Sequence, residues 1–125
     1  MLQEDRKEIT DLILQNNEIE FKDFSELNIR YKVPVGVIFI ESNLDINFKD
    51  LVRGTDKYTS IEYKDKKYYV LFTLFVNIDS LYSIVRKIEY KYQDIEVYFE
   101  ILTQESRTHV KNFIDSLCFC NDTFK

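Results

Sequence analysis

The stretch KYTSIEYKDKKYYVLFTLFV, residues 57–76, carries the strongest structural signal in the chain. Its first part, residues 57–63, alternates between two faces, which is typical of a strand with different surroundings on each side. The polar residues 64–67 then separate it from the aromatic and β-branched run 68–76, which predicts a second strand. Residues 57–76 are therefore predicted to form a β-hairpin.

Two further strands are predicted on either side of this hairpin. The run VGVIFI at 35–40 shows no alternation, which is typical of a strand that is covered on both faces or lies at the centre of a sheet. Residues 95–102 alternate apolar side chains with Glu96, Tyr98 and Glu100, which predicts a strand with one face toward water or thin cover. We expect 35–40 to be the central strand.

Helical spacing accounts for most of the chain between and around these strands. Apolar residues three and four positions apart, preceded by residues that cap helices well, predict amphipathic helices. We predict a first helix from about Asp5 to Asn16, a short one at 23–30, a crossover helix at 44–52, a longer one at 79–90 and a closing one at 110–117.

Without the terminal helices, the predicted order is strand, helix, strand, strand, helix, strand. Right-handed crossovers fold this order into an antiparallel sheet with its helices on one face, the α+β ferredoxin-like (βαββαβ) arrangement. We therefore expect a single domain, 1–125, with a helical extension at 1–33, a core at 34–120 and additional N- and C-terminal helices.

Composition limits the classes of function. The chain has 17 Lys plus Arg against 22 Asp plus Glu, a net charge of −5, so we do not expect it to bind nucleic acid through bulk charge. Charged residues fill the N-terminus where a signal peptide would need an apolar run. No apolar run approaches the roughly 18–20 residues that span a bilayer. We expect a cytoplasmic protein with no membrane contact.

Residue types that carry catalysis are scarce. The chain has one histidine, His109, which is predicted to begin the last helix, and two glycines, too few for a glycine-rich phosphate loop. Cys118 and Cys120 have neither zinc-knuckle spacing nor a suitable disulfide spacing. Glu41 and Asp65 are the carboxylate pair that best fits a two-metal site, and two acids are too few. We expect no catalytic residue, no metal and no cofactor.

The order of these elements resembles the core of a GGDEF domain, the diguanylate cyclase fold, over residues 34–117. The resemblance rests on an apolar strand ending in Glu41, the Arg53-Gly54-Thr55-Asp56 step before the hairpin, and the helix and strand that follow. It implies that Arg53 and Asp56 form a ligand site like the family's inhibitory site for cyclic di-GMP.

The hairpin turn departs from the family pattern. GGDEF domains carry Gly-Gly-Asp-Glu-Phe there, whereas this chain has Lys64-Asp65-Lys66-Lys67-Tyr68. Bulkier charged side chains replace both glycines and the second acid. We therefore expect a degenerate GGDEF-like domain with no cyclase activity, acting as a regulatory or protein-binding module that also has a candidate site for a cyclic dinucleotide.

Two alternative functions remain open. Residues 38–44 resemble the first-strand signature of an RNA-recognition motif. In a motif of that kind, the aromatic side chains of Tyr68, Tyr69 and Phe72 would stack on the bases of single-stranded RNA. The chain also resembles small acidic proteins that act through protein contacts, such as secretion chaperones or viral and host binding factors. In that case Tyr58, Tyr90 and Tyr98, with Tyr92 beside them, would anchor a protein partner.

Overall fold

The computed structural model describes residues 1–16 and 34–101. These residues form two helices and four strands. In chain order they are α1 (Gln3–Asn16), β1 (Val35–Glu41), β2 (Lys57–Tyr63), β3 (Lys66–Leu74), α2 (Ile78–Lys91) and β4 (Glu96–Ile101).

The strands form one four-stranded sheet in the order β2-β3-β1-β4, and each neighbouring pair is antiparallel. Strand β1 lies between β3 and β4, so that Ile38 faces Leu71 on one side and Phe99 on the other. Residues 35–40 of β1 are all buried, as a central strand without alternation predicts. The predictions of an α+β chain with an antiparallel sheet and of the hairpin 57–76 are confirmed.

The two described helices cover opposite faces of the sheet. Ile9, Ile13 and Leu14 of α1 pack with Val35, Val37 and Phe39 of β1 and with the matching side chains of β3. Leu81, Val85 and Ile88 of α2 pack with Ile38 and Ile40, which point to the other face because side chains alternate along a strand. Helix α1, predicted as an extension of the core, is part of it and covers the face that the ferredoxin-like prediction left open.

The prediction of a crossover helix at 44–52 is wrong. Residues 42–56, which we call the crossover segment, contain turns and no helix between β1 and β2. Ile46 and Phe48 are both buried although they lie two positions apart, which is the spacing of an extended chain. Side chains also compete for backbone donors, because the Ser42 hydroxyl accepts from the Leu44 amide at 2.9 Å. One of the turns is closed by the Val52 amide, which donates to the Phe48 carbonyl at 3.1 Å.

The hairpin turn is tighter than predicted. Lys64 and Asp65 alone connect β2 to β3, and both have positive φ, 50° and 64°. Two consecutive left-handed residues make the turn whose twist matches that of paired strands.

The predicted helices at 23–30 and 110–117 lie outside the described residues, as do His109, Cys118 and Cys120. Neither α1 nor α2, the helices of the described ranges, has the length and apolar character needed to cross a membrane.

Candidate functional site

Asp56 is buried at the end of the crossover segment and fastens that segment to β3. Its Oδ1 accepts from the Thr73 hydroxyl at 2.9 Å and from Nη2 of Arg53 at 3.3 Å. Its Oδ2 accepts from the Arg53 amide at 3.0 Å, and the Asp56 amide donates back to the Arg53 carbonyl at 3.0 Å. A buried carboxylate with these donors is well compensated for its lost hydration. We call Arg53, Asp56 and Thr73 the crossover lock.

Arg53 is the member of the lock that reaches solvent. Its Nη2 contacts the Thr73 hydroxyl at 2.8 Å and donates to the Leu74 carbonyl, which holds one end of the guanidinium. The Arg53 side chain is nevertheless 56% exposed, whereas that of Asp56 is 0% exposed. The structure therefore brings the predicted ligand residues together, but with both carboxylate oxygens of Asp56 already used within the chain. Of these two residues, Arg53 is the one whose side chain is exposed and accessible to a ligand.

A groove runs between α2 and the crossover segment, next to Arg53. It consists of two adjoining cavities of about 500 and 410 Å³ that share Leu51, Ser83 and Lys87. Tyr90 lines the first cavity and Arg53 the second. We call this feature the α2 groove. The amide of Asn47 in the crossover segment donates to the hydroxyl of Tyr92, the residue that follows α2, at 3.1 Å.

The α2 groove is cationic in a chain whose net charge is −5. Arg53, Arg86, Lys87 and Lys91 line it, together with the carboxylate of Asp79. Lys91 also lies 3.7 Å from Asp50 of the crossover segment. Within residues 1–16 and 34–101, no ion pair engages Arg86 or Lys87. Among the groove cations, Arg86 and Lys87 thus have no paired carboxylate within the described residues, whereas Arg53 is paired with Asp56 and Lys91 lies near Asp50.

The three tyrosines predicted to bind a partner do not form one patch. The Tyr90 side chain is 88% exposed at the rim of the α2 groove. Tyr58 is 47% exposed, and its ring lies 4.9 Å from that of Phe48 on the same side of the sheet as α2. Tyr98 lies on the α1 side, where it packs against the core. Its hydroxyl donates to Glu96, which raises the pKa of Tyr98 to about 12.

The aromatic residues of the RNA-recognition alternative are part of the core. Tyr68, Tyr69 and Phe72 are buried, and α1 or the crossover segment covers them. Base stacking requires an accessible ring face. These three rings offer none in this structure.

The acids considered for a metal site are separated. Glu41 lies 3.0 Å from Lys66 Nζ, and Asp65 occupies the exposed hairpin turn. Glu96 is opposite Glu41 across the sheet, and the hydrogen bond from Tyr98 holds the pKa of Glu96 below its usual range. The part of the chain that the structure describes contains no group of three or more His, Cys, Asp or Glu side chains placed to hold a metal ion.

Sequence reasoning missed Thr73 and the cations of α2. Thr73 is the one polar residue in an otherwise apolar strand segment, 70–75, and a buried hydroxyl there needs a partner. Ser83, Lys87 and Tyr90 follow helical spacing, which marks a second face of α2 beside its apolar stripe. That pattern could have indicated the face, but not that the crossover segment lies against it.

Comparison with known proteins gives no match. No family model matches the chain, and neither the curated proteins nor the solved structures yielded one. The resemblance to GGDEF domains stays a prediction that rests on element order and on the Arg53 to Asp56 step.

Proposed function

We propose that the protein is a non-catalytic, regulatory protein-binding module and that its partner docks in the α2 groove. One observation carries the proposal: the Tyr90 ring is 88% exposed beside an apolar floor at Leu51 and next to Arg86 and Lys87. Tyrosine and arginine are the residues most enriched where protein interfaces gain their binding energy. An exposed ring at the rim of a groove is therefore well placed to anchor a partner.

The hairpin turn supports the non-catalytic part of the proposal. Lys64 is paired with Asp5 at 3.0 Å and Lys66 with Glu41 at 3.0 Å. In the register of the resembled family, Lys64 replaces a glycine that lets a nucleotide approach the backbone, and Lys66 replaces an acid that binds metal. We expect no cyclic dinucleotide from GTP and magnesium, and detectable turnover would contradict this part of the proposal.

Site-specific photo-cross-linking tests the docking surface. A photoreactive amino acid replaces Tyr90 in one variant and Gln15, an exposed residue at the end of α1, in a matched control. In the source cells we expect Tyr90 to cross-link a discrete protein and Gln15 not to. Adding Lys87→Glu to the Tyr90 variant should weaken that cross-link. Equal capture from both positions would contradict the proposal.

We further propose that the frame is a ferredoxin-like sheet of degenerate GGDEF type whose first crossover has lost its helix. The strand order β2-β3-β1-β4 supports this assignment. A cyclic dinucleotide is the second candidate ligand, favoured because Arg53 is fixed at one end, exposed at the other and shares a cavity with Lys87. Two such cations suit the phosphates of the ligand.

Calorimetric titration with cyclic di-GMP tests the second candidate. Binding at the α2 groove should be weakened by Lys87→Ala, which leaves the crossover lock intact, and unchanged by Lys7→Ala on α1. Binding that both variants retain would exclude this groove as the site. Absence of binding would leave the protein-docking proposal as the only one.

A further inference from the structure

We infer that the α2 groove takes an acidic peptide segment of the partner, with one apolar side chain seated over Leu51. The inference rests on the proposed function and names the chemistry of the partner at the same surface. It follows from three features of the groove: the distribution of its cations, its apolar floor, and its contrast with the charge of the whole chain.

Cations line both cavities of the groove, around an apolar patch at Leu51. Arg53 lines one cavity, Arg86 and Lys91 line the other, and Lys87 lines both. The apolar part of the lining is Leu51, which both cavities share, with Ile84 in the Arg53 cavity, where Asp79 supplies one carboxylate. Because cations outnumber this carboxylate in the groove, a ligand that fills it needs negative charge together with an apolar group over Leu51.

The Arg53 end is the more rigid one. Nη2 of Arg53 is held by Asp56, Thr73 and the Leu74 carbonyl, so the guanidinium loses little further freedom when it binds an anion. Arg86 and Lys87 have no ion pair among the described side chains, so an incoming carboxylate need not displace an internal partner. The Lys91 contact with Asp50, at 3.7 Å between exposed groups, is weak enough to exchange.

The charge of the whole chain adds selectivity. Because the net charge is −5, the chain as a whole repels an acidic partner, whereas the cations of the groove attract it. A basic partner would instead find favourable sites elsewhere and be repelled here. Exclusion from the wrong surfaces is as much a source of specificity as attraction to the right one.

A peptide fits the groove better than a small anion does. A phosphate group could bridge Arg53 and Lys87, but it would leave the floor at Leu51 and the ring of Tyr90 uncovered. Exposed charge pairs contribute little affinity by themselves, so burial of an apolar side chain against these groups must supply most of it.

Fluorescence anisotropy with defined peptides tests the inference on the full chain. The probe is a short labelled peptide with glutamates on both sides of a central leucine. One control peptide replaces the leucine by serine, and another replaces the glutamates by lysines. The protein variants are Arg86→Glu and Lys87→Glu, with Lys7→Glu on α1 as a control of equal charge change.

We expect the acidic leucine peptide to bind saturably, with affinity about tenfold lower for each groove variant and little changed for Lys7→Glu. The serine and lysine peptides should bind more weakly, and binding of the acidic leucine peptide should weaken with added salt. Binding that survives Lys87→Glu, or equal binding of the lysine peptide, overturns the inference. So does saturable binding of cyclic di-GMP in the groove without peptide binding.

The two proposals can fail separately. If Tyr90 cross-links a partner through a neutral or basic segment, the acidic-peptide inference is overturned and the docking function stands. If Tyr90 captures no partner while the acidic peptide binds only with intact groove cations, the inference stands and the docking function is contradicted in those cells.

Discussion

At the scale of single residues, the crossover lock shows how one buried carboxylate can determine the path of a segment. Thr73 donates to Asp56 and in turn accepts from Arg53, so each group in the lock has a partner. Thr73→Val keeps the shape of the side chain but removes the hydroxyl. We expect the variant to lose about 1–3 kcal/mol of unfolding free energy, because the buried Oδ1 of Asp56 then loses the closer of its two donors.

Urea denaturation monitored by tyrosine fluorescence checks this prediction. Thr59→Val on β2, at a half-buried position for which no side-chain hydrogen bond is found among the described residues, is the matched control and should change little. A Thr73→Val midpoint equal to that of the natural chain would mean that the lock does not contribute to stability.

Asp65 gives a second test at the residue scale. Its φ of 64° lies in the left-handed region, which costs roughly 1–2 kcal/mol for a residue with a Cβ and little for glycine. Asp65→Gly should therefore raise the melting temperature, whereas Asp65→Ala should not, because alanine keeps the Cβ and loses the side chain's local hydrogen-bonding capacity. Differential scanning calorimetry separates the two. A lower melting temperature for glycine than for alanine would show that strain in this turn is not limiting.

At the scale of elements, helix α2 approaches β1 closely because position 36 has no side chain. A Cβ on Gly36 would lie 2.8 Å from Cδ1 of Leu81 and 3.3 Å from Cε1 of Phe75, both of which are buried. Gly36→Ala should therefore push α2 away from the sheet and cost about 1–3 kcal/mol of unfolding free energy.

The second glycine of the chain supplies the control for this prediction. A Cβ on Gly54 would meet no atom within 4 Å, and the φ of Gly54 is not positive. Gly54→Ala should leave stability unchanged or raise it by up to about 1 kcal/mol, because alanine restricts the unfolded chain. Chemical denaturation of both variants measures the difference, and equal effects would contradict the close approach of α2.

The elements also show where sequence patterns suffice. Alternation predicts the hairpin and the uniformly apolar run predicts the central strand, because each strand contacts the core directly on the faces that its sequence marks. The same reasoning failed for the crossover segment. Its residues Phe48, Leu51 and Val52 fit helical spacing, while Ile46 and Phe48 fit an extended chain, and the structure uses both over a few residues. A segment this short has too few residues for one of the two spacings to predominate.

At the scale of the whole molecule, the candidate site is built from parts distant in sequence. Arg53 meets Thr73 across 20 positions, and Lys87 joins them only because α2 lies beside the crossover segment. The family resemblance identified Arg53 and Asp56 as a pair, and the aromatic residues predicted for a partner included Tyr90, but periodicity does not say which faces of two elements meet. It also could not show that Asp56 would be enclosed and Tyr90 exposed.

Strand β4 is joined to α1 by an ion pair on the α1 side of the sheet, where Glu100 meets Arg6 at 3.2 Å. Burial raises the pKa of Glu100 above its usual value, and Arg6 only partly offsets this. The folded chain therefore holds the proton on Glu100 more tightly than the unfolded chain does. At low pH Glu100 is protonated in both the folded and the unfolded chain and does not affect stability. As pH rises through its ordinary pKa and then its raised one, ionisation of Glu100 lowers the free energy of unfolding.

Glu96 on the same strand should behave in the opposite way, because its hydrogen bond from Tyr98 lowers its pKa. Its ionised form stabilises the fold above its ordinary pKa, and this contribution is lost as pH falls through the lowered pKa. Relative to the natural chain, Glu100→Gln should therefore gain stability between about pH 3 and pH 7, whereas Glu96→Gln should lose it over the same range. The midpoints of urea denaturation, measured for both variants and for the natural chain at the two pH values, test this prediction. Parallel pH dependence of the two variants would show that burial at Glu100 does not outweigh its ion pair with Arg6.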